Sequence, residues 1–142
     1  MKKTLFATPQ DAEAAFYEAF MKHDLEAMMA VWSDDDEVYC VHPRGPRITG
    51  VAQVRESWRQ IFASAQNVRF QVREQHLLQA MMVSIHSVYE HIQMAGERGA
   101  RGTVLATNIY MRTERGWRMM VHHASPAPAV EEVEPRRVKT LH

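Results

Sequence analysis

The chain has 142 residues, the size of one domain. Hydrophobic residues make up 46% and charged residues 24%, enough for a core and ordinary for a soluble protein. Lys plus Arg and Asp plus Glu both total 17, so no positive excess exists to neutralise phosphates, and nucleic acid is excluded as the main partner. The single cysteine, Cys40, excludes an intrachain disulfide framework and a Cys-rich zinc module. A reducing cytoplasm suits it. The start, MKKTLFATPQDAEAAF, is basic, but Pro9, Gln10, Asp11 and Glu13 interrupt any apolar signal region. No later stretch has the length of a membrane span, so a soluble cytoplasmic protein is expected. The ten methionines suit a deformable core or an adaptable pocket wall.

Thr8-Pro9-Gln10-Asp11 carries the marks of a helix start: a capping hydroxyl, proline in the first turn and a carboxylate at the positive end. Ala12, Ala15, Phe16, Ala19 and Phe20 then share one helical face. His23-Asp24 breaks the run. Leu25, Met28, Met29 and Trp32 predict a second amphipathic helix, closed by Ser33 to Asp36. Val38 to His42 reads as a short strand, and Pro43 to Pro46 as a turn. Ile48-Thr49-Gly50 leads into a third helix with Val51, Val54, Trp58, Ile61 and Phe62 on its apolar face.

From Val68 the period is two, with Val68, Phe70 and Val72 alternating with polar residues. Met82 to Ile92 and Thr103 to Thr113 predict further strands, joined through MAGERGARG. Glu114-Arg115-Gly116 is a tight hairpin turn, and Trp117 to Ala124 returns from it. Helices segregated from a meandering sheet predict an α+β fold. A long curved sheet only partly covered by three helices leaves a pocket.

Three stretches carry a resemblance: AFYEAFMKHDLEAMMAVWSDDDEVYCVHP, ITGVAQVRESWRQI and ATNIYMRTERGWRMMVHHASP. In this order they resemble the nuclear-transport-factor-2-like superfamily and, within it, the SnoaL-like, ketosteroid-isomerase-like proteins. The resemblance covers roughly Asp11 to Pro126, so residues 1–126 are expected to form one domain followed by a tail, 127–142. The resemblance implies a cone-shaped fold, three N-terminal helices packed on a strongly curved antiparallel sheet that encloses a pocket. It also implies a homodimer through the sheet. The superfamily holds isomerases, cyclases, dehydratases, hydrolases and structural members, so fold alone does not settle function.

The ketosteroid-isomerase pattern places a general-base aspartate before a proline in the strand after the second helix. With two residues inserted, His42 takes that place here. The oxyanion-binding tyrosine of the first helix falls on Phe16, with Tyr17 pointing elsewhere, and the protonated aspartate of the penultimate strand falls on Asn108. Steroid isomerisation by that mechanism is therefore not expected. The resemblance then implies a small-molecule-binding protein, an isomerase, dehydratase or hydrolase of cofactor-independent, lyase or isomerase type. The alternative is a non-catalytic dimeric binding or scaffold module.

His42 reads as the acid/base group, since imidazole titrates near neutrality, or as a strand-end cap bonded to backbone. Asn108 reads as a donor to a substrate carbonyl or as a cross-sheet hydrogen bond, with Ala106 and Tyr110 on its face. His122 and His123 are strand neighbours and face opposite ways. Trp117, Met119 and Val121 suggest a concave set with His123, which puts His122 on the convex side. Phe16, Trp32, Trp58, Tyr110 and Val121 are the expected walls for a small apolar or aromatic ligand. Cys40 reads as a small buried hydrophobe with no direct pairing to His42. No metal-binding spacing occurs, Asp34 to Asp36 lacks the glycine and glutamate of a calcium loop, and neither metal nor cofactor is expected.

Overall fold

A computed structural model describes residues 5–64, 67–94 and 101–128. Most of the MAGERGARG connection and the tail beyond residue 128 lie outside the described residues. Helix α1 (Pro9–Lys22) begins where its capping signals stand: Thr8 Oγ1 accepts the Asp11 N–H at 3.0 Å. It ends at His23, which adopts the left-handed conformation with φ 56°, while the Asp24 N–H closes on the Ala19 carbonyl at 3.0 Å. Asp24 then caps helix α2 (Leu25–Val31) by accepting the Ala27 N–H at 3.0 Å. One dipeptide thus ends one helix and starts the next.

Strand β1 (Tyr39–Val41) and strand β2 (Arg47–Thr49) follow, then helix α3 (Val51–Ser64). β2 occupies the stretch read from sequence only as a lead into the helix. Four long strands complete the chain: β3 (Val68–Gln79), β4 (Val83–Met94), β5 (Arg101–Thr113) and β6 (Gly116–Pro126). The sheet order is β2-β1-β6-β5-β4-β3, antiparallel except for the parallel β1–β6 pair. The three helices pack on one face of this curved, unclosed sheet, so the α+β architecture is as expected. At the β5–β6 hairpin Gly116 has φ +87°, and a Cβ there would meet the Phe6 carbonyl oxygen at 2.7 Å, which only glycine avoids.

Residues paired across strands share a face. Ser84, His86, Val88 and Glu90 of β4 and Val104, Ala106, Asn108 and Tyr110 of β5 are buried on the helix side. In β6 the register shifts: Ile109 pairs with Val121, but Tyr110 pairs with Met119. Met120 is the extra residue, a bulge that reverses side-chain parity beyond it. Trp117 and Met119 point inward before the bulge, and His122 and Ala124 after it. His122 is 1% exposed while His123 is exposed. This corrects the sequence expectation for both histidines, and moves Val121 to the outer face beside Ile109. A strict period of two cannot anticipate an inserted residue.

Candidate functional site

The inner face of the sheet carries a row of polar side chains in register. His86 pairs with Asn108, Asn108 with His122, and His122 with Cys40 across β4, β5, β6 and β1. All four are fully or almost fully buried. From α1, Glu13 and Tyr17 meet this row. Four residues apart, they share one helix face, and both are buried.

Their hydrogen bonds form one network. Asn108 Nδ2 donates to Glu13 Oε2 at 3.0 Å and to Tyr17 Oη at 3.1 Å. Tyr17 Oη donates to Glu90 Oε2 at 2.5 Å. Tyr110 Oη and Gln75 Nε2 donate to the two Glu13 oxygens at 3.1 and 3.0 Å. His86 Nδ1 stands 3.1 Å from Glu13 Oε1, within ion-pair range but out of hydrogen-bond alignment, and its Nε2 lies 2.8 Å from Ser84 Oγ. His122 Nδ1 lies 2.6 Å from Asn108 Oδ1. An amide oxygen only accepts, so His122 carries its proton on Nδ1 and leaves Nε2 as a lone pair. The donors run in one direction, His122 to Asn108 to Tyr17 to Glu90, an arrangement in which each bond polarises the next.

Burial and neighbours push the two carboxyls apart. Burial drives Glu90 up to about 7, with the Tyr17 hydrogen bond pulling it back and the Glu13 charge adding to the rise. Burial also acts upward on Glu13, but His86, Asn108 and Tyr110 together outweigh it and hold that carboxyl below its usual range. Glu13 is therefore the resident anion, and Glu90 is half protonated near neutrality. Burial, reinforced by the carboxylates, raises both tyrosines well above their usual range.

His42 stands just beyond β1, half-buried. Its Nε2 lies 3.1 Å from Ser57 Oγ, whose own proton goes to the Val54 carbonyl at 2.8 Å. The serine must therefore accept from His42, which fixes the Nε2–H tautomer and leaves Nδ1 as the basic atom. Trp58 packs edge-on to the ring at 4.8 Å. Burial lowers His42 to about 4. It also lowers His122 to about 3, with smaller contributions from the charges of His42 and His123. Both rings are thus neutral at physiological pH. Contrary to the sequence reading, Cys40 does sit beside His42, Sγ to Nε2 3.6 Å. Burial, then the Glu90 charge, raises its thiol far above the usual range, so it is an inert neighbour.

Of the residues expected from sequence, His42, Asn108, Phe16, Trp58 and Tyr110 gather on this inner side. Phe16 lies 5.6 Å from Trp58 and 4.9 Å from His122 by ring centroids. Asn108, read from sequence as a donor to substrate or as a cross-sheet hydrogen bond, bonds to Glu13, Tyr17 and, across the sheet, His122. Tyr17, expected to point elsewhere, supplies the phenol that Phe16 lacks. His123 and Val121 are on the other face. Trp32 is buried but borders a separate cavity of about 290 Å³. Sequence reading missed Glu13, Tyr17, His86, Glu90 and the inward His122. Among the described residues no group of three His, Cys, Asp or Glu is placed to hold a metal ion, and no helix is long and apolar enough to cross a membrane.

A profile of the SnoaL-like domain matches residues 10–129. A solved structure from Thiobacillus denitrificans, named as a candidate calcium/calmodulin-dependent protein kinase type II association domain, is 42% identical, with a TM-score of 0.84 over 88% of this chain and 99% of that one. A candidate dehydratase of the NTF2-like family from Streptomyces avermitilis is 29% identical, with a TM-score of 0.76 over 83% of this chain and 93% of that one. The F-box protein SKIP8 of Arabidopsis thaliana is 26% identical over 110 residues, 78% of this chain and 46% of that protein. The chain thus matches less than half the length of that curated relative.

Proposed function

The chain belongs to the SnoaL-like domain family, and we propose that it binds a small, mostly apolar molecule beside His42 and moves a proton on it, as an isomerase, dehydratase or hydrolase does. His42 is the acid/base group, with Nδ1 the atom that takes the proton. Asn108 is its polar partner at one remove: it orients His122 and ties that ring to Tyr17 and Glu90. Glu90, with a carboxyl near 7, is the group able to give or store a proton at neutrality. Trp58 and Phe16 form the apolar wall against which the ligand would rest. The lone thiol suits a cytoplasmic protein.

The observation that carries this reading is the buried polar network itself. Each polar group taken from water costs free energy unless paired, and a buried ion pair rarely exceeds a well-packed apolar substitute in stability. Two carboxylates, two histidines and two phenols in the interior of one small domain are therefore better explained by chemistry than by folding, since perturbed titrating groups cluster at functional sites. The NTF2-like neighbour named as a candidate dehydratase supports the same class of reaction. The second reading, a non-catalytic association module, is favoured by the 42% identical neighbour named as an association domain.

Exchange of carbon-bound hydrogen in heavy water separates the isomerase and dehydratase readings from the association module without knowledge of the substrate. Small ketones, 3-hydroxy acids and aromatic ketones are incubated with the protein, and loss of their α-proton signals is followed by NMR. Wild type should accelerate exchange for at least one class, and His42→Gln should lower that rate about 100-fold or more. Between about pH 5 and 6 the rate should be flat, because His42 is already neutral there, and it should change near 7 as Glu90 loses its proton. No acceleration on any class, or equal rates for His42→Gln, overturns proton transfer at carbon by His42.

A further inference from the structure

A cavity of about 290 Å³ opens between the end of α2, the start of α3 and the start of β6. The topology builds it. Trp32 caps α2 in an extended conformation and bridges to Met119 of β6, which brings the neighbouring Arg118 beside the helix end. The first turns of α3 supply Val51, Ala52 and Arg55 as the facing wall. None of its lining residues belongs to the Asn108 network or hydrogen-bonds to His42.

The lining divides by chemistry. Met29, Trp32, Val51 and Ala52 give apolar walls, and Arg55 and Arg118 bring guanidinium groups. Trp32 is 1% exposed, and its indole Nε1–H has no hydrogen-bond partner. A buried indole donor normally finds an acceptor, so this wall lacks one. Arg55 pairs with Glu26 through Nη2 at 2.6 Å in an exposed ion pair, of a kind that contributes little and competes weakly. Arg118 Nη1 donates to the Ala30 carbonyl, which anchors the guanidinium at the cavity. Asp34 also borders the site, but it is exposed and solvent-screened. Among the described lining residues, two guanidinium groups and the unpartnered indole N–H of Trp32 stand against one carboxylate, and the volume is just under the usual range for small-molecule sites.

We propose that this cavity is a binding site for a compact monocarboxylate with an apolar body, the body lying against Met29, Trp32 and Val51 and the carboxylate against Arg118 and Arg55. The site is independent of proton transfer at His42, so either can fail alone. Benzoate, benzyl alcohol and benzamidine share one body and differ only in charge, and serve as probes. The indole Nε1–H signals of Trp32, Trp58 and Trp117 are followed by nitrogen-15 NMR, with Trp32 identified by its contacts to Met29 and Val51.

Benzoate should shift the Trp32 signal in a saturable way with a Kd of about 1 mM or tighter, leave Trp58 in place, and bind about tenfold more tightly than benzyl alcohol. Arg118→Gln should weaken benzoate about tenfold. Should that variant fold poorly, Ala52→Phe, a change at an exposed helix position, should fill the cavity and abolish the shift. The proposal is overturned by tighter binding of benzamidine than benzoate, by a response at Trp58 instead of Trp32, by an unchanged benzoate affinity in Ala52→Phe, or by no Trp32 shift at all.

Discussion

Glu90 shows how one residue links the interior network to stability. Its carboxyl is raised from the ordinary 4.5 to about 7, chiefly by burial, so the folded state keeps a proton that the unfolded chain releases. That contribution is fully present below pH 4.5 and is lost as the pH rises through 7. The shift corresponds to roughly 3 kcal/mol. Glu90→Gln retains an acceptor for the Tyr17 hydroxyl and cannot ionise. It should therefore be more stable than wild type by up to that amount at about pH 8, and by little or nothing at about pH 4.5, as read by urea unfolding. His42 and His122, both lowered, act with the opposite sign: their contribution is present above 6.5 and lost as the pH falls towards 4 and 3. They act alike in both proteins, so the difference isolates Glu90. The same gap at both pH values would contradict a raised Glu90.

At this scale the sequence was legible where a signal was local. His42 before Pro43, and Asn108 between Ala106 and Tyr110, stood out and lie on the inner side. Glu13 and Tyr17 did not, because an acid and a phenol on an amphipathic helix read as its solvent face until the sheet opposite is known to carry partners.

At the scale of elements, a rule of polar side out does not hold in β4. VSIHSVYE alternates Val83, Ile85 and Tyr89 with Ser84, His86 and Glu90, and a period of two with polar side out puts the wrong set inside. The structure buries Ser84, His86 and Glu90, because α1 brings Glu13 and Tyr17 to meet them. The bulge at Met120 had the same effect on β6: the parity of Trp117 and Met119 was legible, that of His122 was not. The helices were read nearly to the residue, since Thr8, Pro9, His23 and Asp24 act on backbone groups within a few positions.

The inverted pattern has a consequence for the outer face. Ile85, Leu105 and Ile109 sit on the side away from the helices and are only partly buried, while Leu78 beside them is 58% exposed and Met111 37%. An apolar sheet face of this kind needs cover. We propose that it is covered by a second copy of the chain, as the family resemblance implies. Sedimentation at micromolar concentration should show a dimer, and Ile109→Asp should weaken it about 30-fold or more. A monomeric wild type would contradict the proposal.

For the whole molecule, order and layer were legible: helices first, then a meander that they cover. What sequence could not supply was which face of that sheet is chemically rich, a property of side-chain pairing across elements far apart in the chain. Glu13 and Tyr110 are 97 residues apart, Asn108 and Tyr17 are 91, and no local pattern encodes such pairs. The tail beyond residue 128, expected to pack on the sheet or a partner, lies outside the described residues. The central claim is that the inner side beside His42 receives a small molecule. Its most direct test is a crystal structure after soaking with a panel of small ketones and hydroxy acids. Ligand density is expected within hydrogen-bond reach of His42 Nδ1 and against the Trp58 ring. Density confined to the cavity beside Trp32, with the His42 side filled by protein alone, would contradict it.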